Sequence, residues 1–161
     1  MRRGLLLLPV LLLAACGGGK HAATTTTPPK VPTPGPGQVL YSNPPWAVVV
    51  DADKATALHL VNNRWVPDRS GTVKIAILGP KGHAKPTPQV AAELSAKKPL
   101  VESALWVDGV ELLEKGGGLT PTKGTIYGAP SAPLAKGKHV AVAYGRTADH
   151  ASAVAWTFRV V

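Results

Sequence analysis

An antiparallel all-β sandwich is the fold class this sequence predicts, and three observations predict it. From residue 39 onward, short runs rich in valine, isoleucine, alanine and tryptophan alternate with glycine, proline and lysine turns. No stretch there sustains the i, i+3, i+4, i+7 apolar stripe that a helix buries. Strand-like segments recur at spacings of about 8 to 12 residues, the rhythm of two packed sheets.

Taken in order, residues 46–50 read as a buried strand, the turn Asp51-Ala52-Asp53-Lys54 follows, and residues 58–66 return, so a hairpin is expected. Val73, Ile75 and Ile77 alternate with Lys74, which turns one face of the next strand inward. Val90, Ala92 and Leu94 lie opposite Ala91, Glu93 and Ser95, and residues 101–107 repeat the pattern. Asp108-Gly109 sits between two apolar runs and signals a two-residue hairpin, because both central positions take φ > 0. A loose loop is expected over residues 115–123 around Gly116-Gly117-Gly118. Strands at 125–127, 139–144 and 153–161 complete the set, the last with Val154, Trp156, Phe158 and Val160 on one face. Counted from Val73 this makes about seven strands, and the region 39–70 is extra: an N-terminal β-hairpin that extends one sheet or forms a unit of its own.

The C-terminal half resembles the immunoglobulin-like domains of bacterial envelope proteins. The likeness rests on Leu105-Trp106-Val107-Asp108-Gly109-Val110, on the run from Pro133-Leu134 through Gly137 and His139 to Val142, and on Trp156-Thr157-Phe158-Arg159-Val160. It implies a sandwich at residues 71–161 that acts as a spacer or binding module. The immunoglobulin cysteine pair is missing, as it commonly is in bacterial members.

The first residues carry a different message. Arg2 and Arg3 precede an apolar run of 11 residues, 5–15, that ends in small side chains, which reads as a signal peptide. A spanning helix needs about 20 apolar residues, so this run is too short to cross a bilayer. Leu13-Ala14-Ala15-Cys16 looks like a lipobox, the motif of bacterial lipoproteins, and implies diacylation of Cys16 and cleavage just before it. Two or more acyl chains, at about 0.8 kcal/mol per buried CH₂, would anchor the chain stably on the extracytoplasmic face of the cell membrane. Residues 16–38 then read as a disordered Gly/Thr/Pro tether, with five prolines at 28–36 favouring extended polyproline II.

Cys16 is the sole cysteine, so the folded part has no disulfide, thiolate metal site or cysteine nucleophile. Removing Arg2 and Arg3 from the 18 basic residues leaves 16 against 9 acidic, a surplus that draws the mature chain toward anionic surfaces such as cell-wall polymers or lipid headgroups. The lysines are spread over turns without a stacking-aromatic pattern, which argues against nucleic acid. The sequence implies no cofactor and leaves the oligomeric state open.

Motifs for catalysis are lacking: no serine occupies a G-x-S-x-G or S-x-x-K context. The runs Val48-Val49-Val50-Asp51 and Leu58-His59-Leu60-Val61 faintly resemble the opening strands of L,D-transpeptidases, but the cysteine nucleophile which that family needs is missing. Glu93, Glu102, Glu111 and Glu114 read as solvent-facing, and His59 and His139 as half-buried within strands. Asp149-His150 before the last strand resembles the Asp-x-His pair of copper-binding β-sandwich resistance proteins, which makes an envelope copper protein the alternative reading. The leading expectation is a non-catalytic, lipid-anchored envelope protein that binds or spaces an envelope protein or an anionic cell-wall polymer. Trp46, Trp65 and Trp106 are its candidate binding surface, since Trp106 faces away from Leu105 and Val107 and must meet solvent, the extra hairpin or a partner.

Overall fold

The computed structural model describes residues 37–112 and 115–161, and the side chains of all of these except 115–119. The expected signal peptide, Cys16, the expected tether up to Pro36 and Glu114 lie outside the described residues.

The described residues form strands and no helix. The first four are β1 (Gln38–Asn43), β2 (Trp46–Asp51), β3 (Lys54–Val61) and β4 (Arg64–Pro67). Then follow β5 (Val73–Gly79), β6 (Gly82–Ala84), β7 (Val90–Ala96), β8 (Glu102–Val107) and β9 (Val110–Glu111). The last are β10 (Lys115–Thr120), β11 (Lys123–Gly128), β12 (Gly137–Arg146) and β13 (Ala151–Val160). They make three sheets, ordered β1-β2-β3-β4, β10-β11-β7-β5 and β6-β13-β12-β8-β9.

The second and third sheets face each other as an immunoglobulin-like sandwich, in agreement with the predicted fold class. It has nine strands rather than about seven. The first strand divides between the sheets: β5 pairs with β7, and after the cis Gly79–Pro80 peptide β6 pairs in parallel with β13. The loop expected at 115–123 is largely β10, in which Gly116 pairs with Ile126 and Gly117 with Thr125. A ladder needs only backbone N–H and C=O groups, so the glycines pair despite their low strand propensity.

The extra region is larger than a hairpin. The run 58–66 is broken by Asn62-Asn63, at φ 49° and 60°, and the chain turns back there into β4. Asparagine tolerates this left-handed conformation, so the pair makes a tight turn where the apolar run alone suggested continuity. With β1 added, the result is a four-stranded meander packed as a third layer on the outer face of the β6-β13-β12-β8-β9 sheet.

That central sheet buries both faces. On β8, Leu105 and Val107 point into the sandwich with Val90, Leu94, Ile126 and Phe158, while Ala104 and Trp106 point the other way, to Trp46, Val48, Val142 and Tyr144. Ala151, Ala153 and Ala155 line the same outer face of β13, and their small side chains let the meander approach closely. Each fully buried large apolar side chain contributes about 1.5–3 kcal/mol, so two such cores can stabilise a fold without disulfides.

Candidate binding groove

The β8–β9 hairpin turns at Asp108 and Gly109, with φ 50° and 82°, as the Asp-Gly signal requires. Beside it the chain leaves β11 at Gly128 and crosses to β12 through residues 129–136. Between this crossing and the hairpin lies an open groove of about 970 Å³. Ligand sites commonly enclose about 300–1,000 Å³ behind mostly apolar walls. Here Val107, Val110 and Leu112 form one wall, and Tyr127, Pro133 and Leu134 the other. Val110 is 65% exposed, a large apolar side chain left to solvent inside a concavity. Asp108 and Glu111 give the hairpin wall two carboxylates.

Hydrogen bonds hold the walls in place. His139, on β12, lies with Nδ1 2.6 Å from Asp108 Oδ2 and Nε2 2.7 Å from the Ala135 carbonyl oxygen. Both partners are acceptors, so the ring donates from both nitrogens and fits as an imidazolium. Asp108 raises the His139 pKa, burial opposes the rise, and the Ala135 carbonyl adds to it. Asp108 Oδ1 also accepts from the Val140 amide at 2.9 Å, and the Leu134 amide donates to the Pro86 carbonyl at 2.7 Å. The groove is therefore pre-formed. With both nitrogens committed, His139 has none free to take a proton from a bound molecule, although Ser131 and Asp108 line the same groove.

The expected tryptophan surface is corrected. Trp106 is 1% and Trp46 4% exposed, both within the second core, and Trp65 on β4 is half-buried. The other face of β8 has met the extra region, so it is covered by this chain rather than offered to a partner. Trp46 stacks on His59 with ring centroids 4.2 Å apart, and the Arg146 guanidinium carbon lies 6.0 Å from its ring.

Glu102 is likewise corrected from a solvent position. It is half-buried, pairs with Arg146 Nε and accepts from the Tyr41 hydroxyl, so one carboxylate joins β1, β8 and β12. Nothing in the spacing of β8 marked this, because both partners come from distant parts of the chain.

Asp149 and His150 turn to different partners. Asp149 pairs with Lys98, while His150 Nδ1 lies 3.3 Å from Asp68 Oδ2. Among the described residues no three histidine, cysteine, aspartate or glutamate side chains converge as a metal site. The groove itself had no motif to find: it forms where a hairpin and a crossing loop that are separate in sequence come together.

No protein-family model matches the chain, and no curated protein is detectably similar to it.

Proposed function

We propose that this chain is an exported lipoprotein whose immunoglobulin-like sandwich is a non-catalytic binding module, held at the outer surface of a membrane by Cys16 and engaging an envelope protein through the groove between the β8–β9 hairpin and residues 129–136. The observation that carries the reading is a pre-formed, mainly apolar concavity with Val110 exposed inside it, whose hairpin and crossing loop are tied together by His139 through Asp108 and the Ala135 carbonyl. The carboxylates of Asp108 and Glu111 favour an apolar or basic protein segment over an anionic polymer at this site. The lipobox and the preceding apolar run support the anchor, and among the described residues no helix is long and apolar enough to cross a membrane.

The test combines two measurements on the full-length protein in host cells. Palmitate labelling of the wild type and not of Cys16→Ser, with Cys16→Ser released from membranes, is the expected result; an unlabelled wild type overturns the anchor. Crosslinked pull-down is expected to recover a stoichiometric protein partner that Val110→Lys loses. Equal recovery by Val110→Lys overturns the groove as the binding site.

A further inference from the structure

One end of the central sheet carries a row of basic side chains on its outer face, beyond the reach of the meander. Arg159, on β13, points away from the core that its neighbours Phe158 and Val160 enter, so it stands on that outer face. Residues opposite each other in a ladder share a face, and Arg159 lies opposite Lys138 on β12 and His83 on β6. His83, Arg159 and Lys138 are all exposed and form a line across three adjacent strands. Neighbouring strands lie about 4.8 Å apart, so the line is closely spaced. Because β6 ends and β12 begins at this same end of the sheet, exposed Lys85 and Lys136 extend the patch.

Like charges set opposite each other in a ladder repel. Arg159 and Lys138 face each other in this way with no acid between them. Among the described residues, none of His83, Lys85, Lys136, Lys138 and Arg159 makes an ion pair or a side-chain hydrogen bond. Asp108 is bonded to β12 two residues beyond Lys138, but its oxygens are engaged by His139 and the Val140 amide. Lys98, Lys123 and Arg146, elsewhere on the protein, each have a carboxylate partner. A repulsion kept in the sheet without an acid beside it is relieved by an anion from outside the chain.

The side chains suit phosphate. A guanidinium presents paired N–H donors that match two oxygens of one phosphate, and a lysine adds a point charge. A histidine ring offers an N–H in either protonation state. The shape suits a chain rather than a plane. Thr157 and Val140, the next pair along the same ladder face, are half-buried where the meander begins. Packed sheets lie about 10 Å apart, so the meander stands as a step along one side of the row. An extended polymer fits along the foot of that step, whereas a flat bilayer laid on this face meets the meander first.

We infer that the row His83–Arg159–Lys138, flanked by Lys85 and Lys136, binds a linear polyanion that carries phosphate groups along its length. None of these residues lines the groove, whose Asp108 and Glu111 disfavour such a ligand, so the inference does not depend on the groove being a binding site.

The test uses the chain from residue 16 onward with Cys16→Ser, to which no lipid attaches, and sodium polyphosphate as the probe. In an NMR titration the amide signals of His83, Lys138 and Arg159 are expected to shift while those of Val110 and Tyr127 stay in place. By calorimetry, Lys138→Gln with Arg159→Gln is expected to weaken binding roughly tenfold, and Arg159→Lys, which keeps the charge and loses the fork, to weaken it several-fold. Lys98→Gln with Lys123→Gln removes the same charge from paired lysines and is expected to change binding by less than about twofold. Equal weakening by the two double variants, or shifts spread over all exposed lysines, would reduce the effect to net charge and overturn the site. Inorganic phosphate bound as tightly as polyphosphate would overturn the linear ligand. Binding to vesicles of anionic phospholipid that depends on Lys138 and Arg159, with none to polyphosphate, would assign the row to a membrane and overturn the polymer.

Discussion

His139 and Asp108 make a 2.6 Å contact between imidazole and carboxylate that joins β12 to the turn of the β8–β9 hairpin, behind the groove that Asp108 lines. The Ala135 carbonyl on the opposite ring nitrogen extends the link to the crossing loop. One side chain thus fixes both walls, and its charge state sets how firmly.

The His139 pKa is raised in the folded chain, chiefly by Asp108. A raised folded-state value means that this contribution to stability is fully present below the unfolded histidine pKa, about 6.5, and is lost as pH rises through the higher folded value. The urea midpoint is therefore expected to fall between pH 6 and the alkaline side of neutrality, with a weaker fall in Asp108→Asn. A His139 pKa at or below the free-histidine value in an NMR titration would contradict this. Replacing His139 by alanine removes hydrogen bonds that involve charge and is expected to cost about 2 kcal/mol.

Asp68 clasps the meander to the sandwich. Its Oδ2 accepts from the Ala151 amide and its Oδ1 from the Ser70 amide, both at 2.9 Å, while its own amide donates to the Ala57 carbonyl. Burial pushes its pKa up, but the Ala151 and Ser70 amides, with the Ser70 hydroxyl and His150, outweigh burial and leave it below the ordinary carboxylate value. A depressed folded value gives stability that is present above the unfolded pKa and is lost as pH falls through the folded one. Asp68→Ala is expected to lower stability by about 1.5–3 kcal/mol at neutral pH and by less in acid. Equal midpoints for wild type and variant at pH 7 would remove Asp68 from this role.

Tyr144 is fully buried between layers, its ring 5.6 Å from that of Tyr41, and its hydroxyl has no hydrogen-bond partner among the described residues. Burial, with the Glu102 charge next, holds this phenol far above its ordinary pKa of 10.0. In an alkaline absorbance titration Tyr144 is expected to ionise only when the fold opens, so the fold loses stability as pH rises above the unfolded phenol pKa. Tyr144→Phe removes a buried group that forms no bond and is expected to leave stability unchanged or raise it by up to about 1 kcal/mol. Tyr41→Phe loses the bond to Glu102 and is expected to cost about 1 kcal/mol. Denaturant midpoints that rank the two variants the other way would contradict this account.

Where one residue type decided the backbone, the sequence was readable. Asp108-Gly109 specified its turn, and the alternation of Trp156, Phe158 and Val160 specified the inward face of β13. Asn62-Asn63 was equally informative but was hidden within an apolar run, and β10 was obscured because glycines pair through backbone alone. Alternation on β8 showed that two faces needed cover without showing what covers Trp106. The groove and the Glu102–Arg146–Tyr41 junction depend on contacts between distant segments, which local periodicity does not encode.

Trp106 gives the sharpest separation between a surface role and a core role. It is 1% exposed and packs with Trp46, Val48 and Tyr144 where the meander meets the central sheet. Trp106→Ala would open a cavity that rigid strands on both sides cannot close, at an expected cost of about 3–5 kcal/mol. Because the lost contacts are those between layers, the meander should loosen before the sandwich does, letting residues 68–72, of which 69–71 are already exposed, unfold far enough to enter a protease site. Trp65→Ala, at the one half-buried position of the edge strand β4, is expected to cost less and to leave cleavage at 68–72 at its wild-type level. Limited proteolysis followed by mass spectrometry distinguishes the cases: cleavage in 68–72 specific to Trp106→Ala establishes the layer contact. A Trp106→Ala protein of unchanged stability and digestion pattern would mean that the meander is held by Asp68 and the Glu102 junction alone.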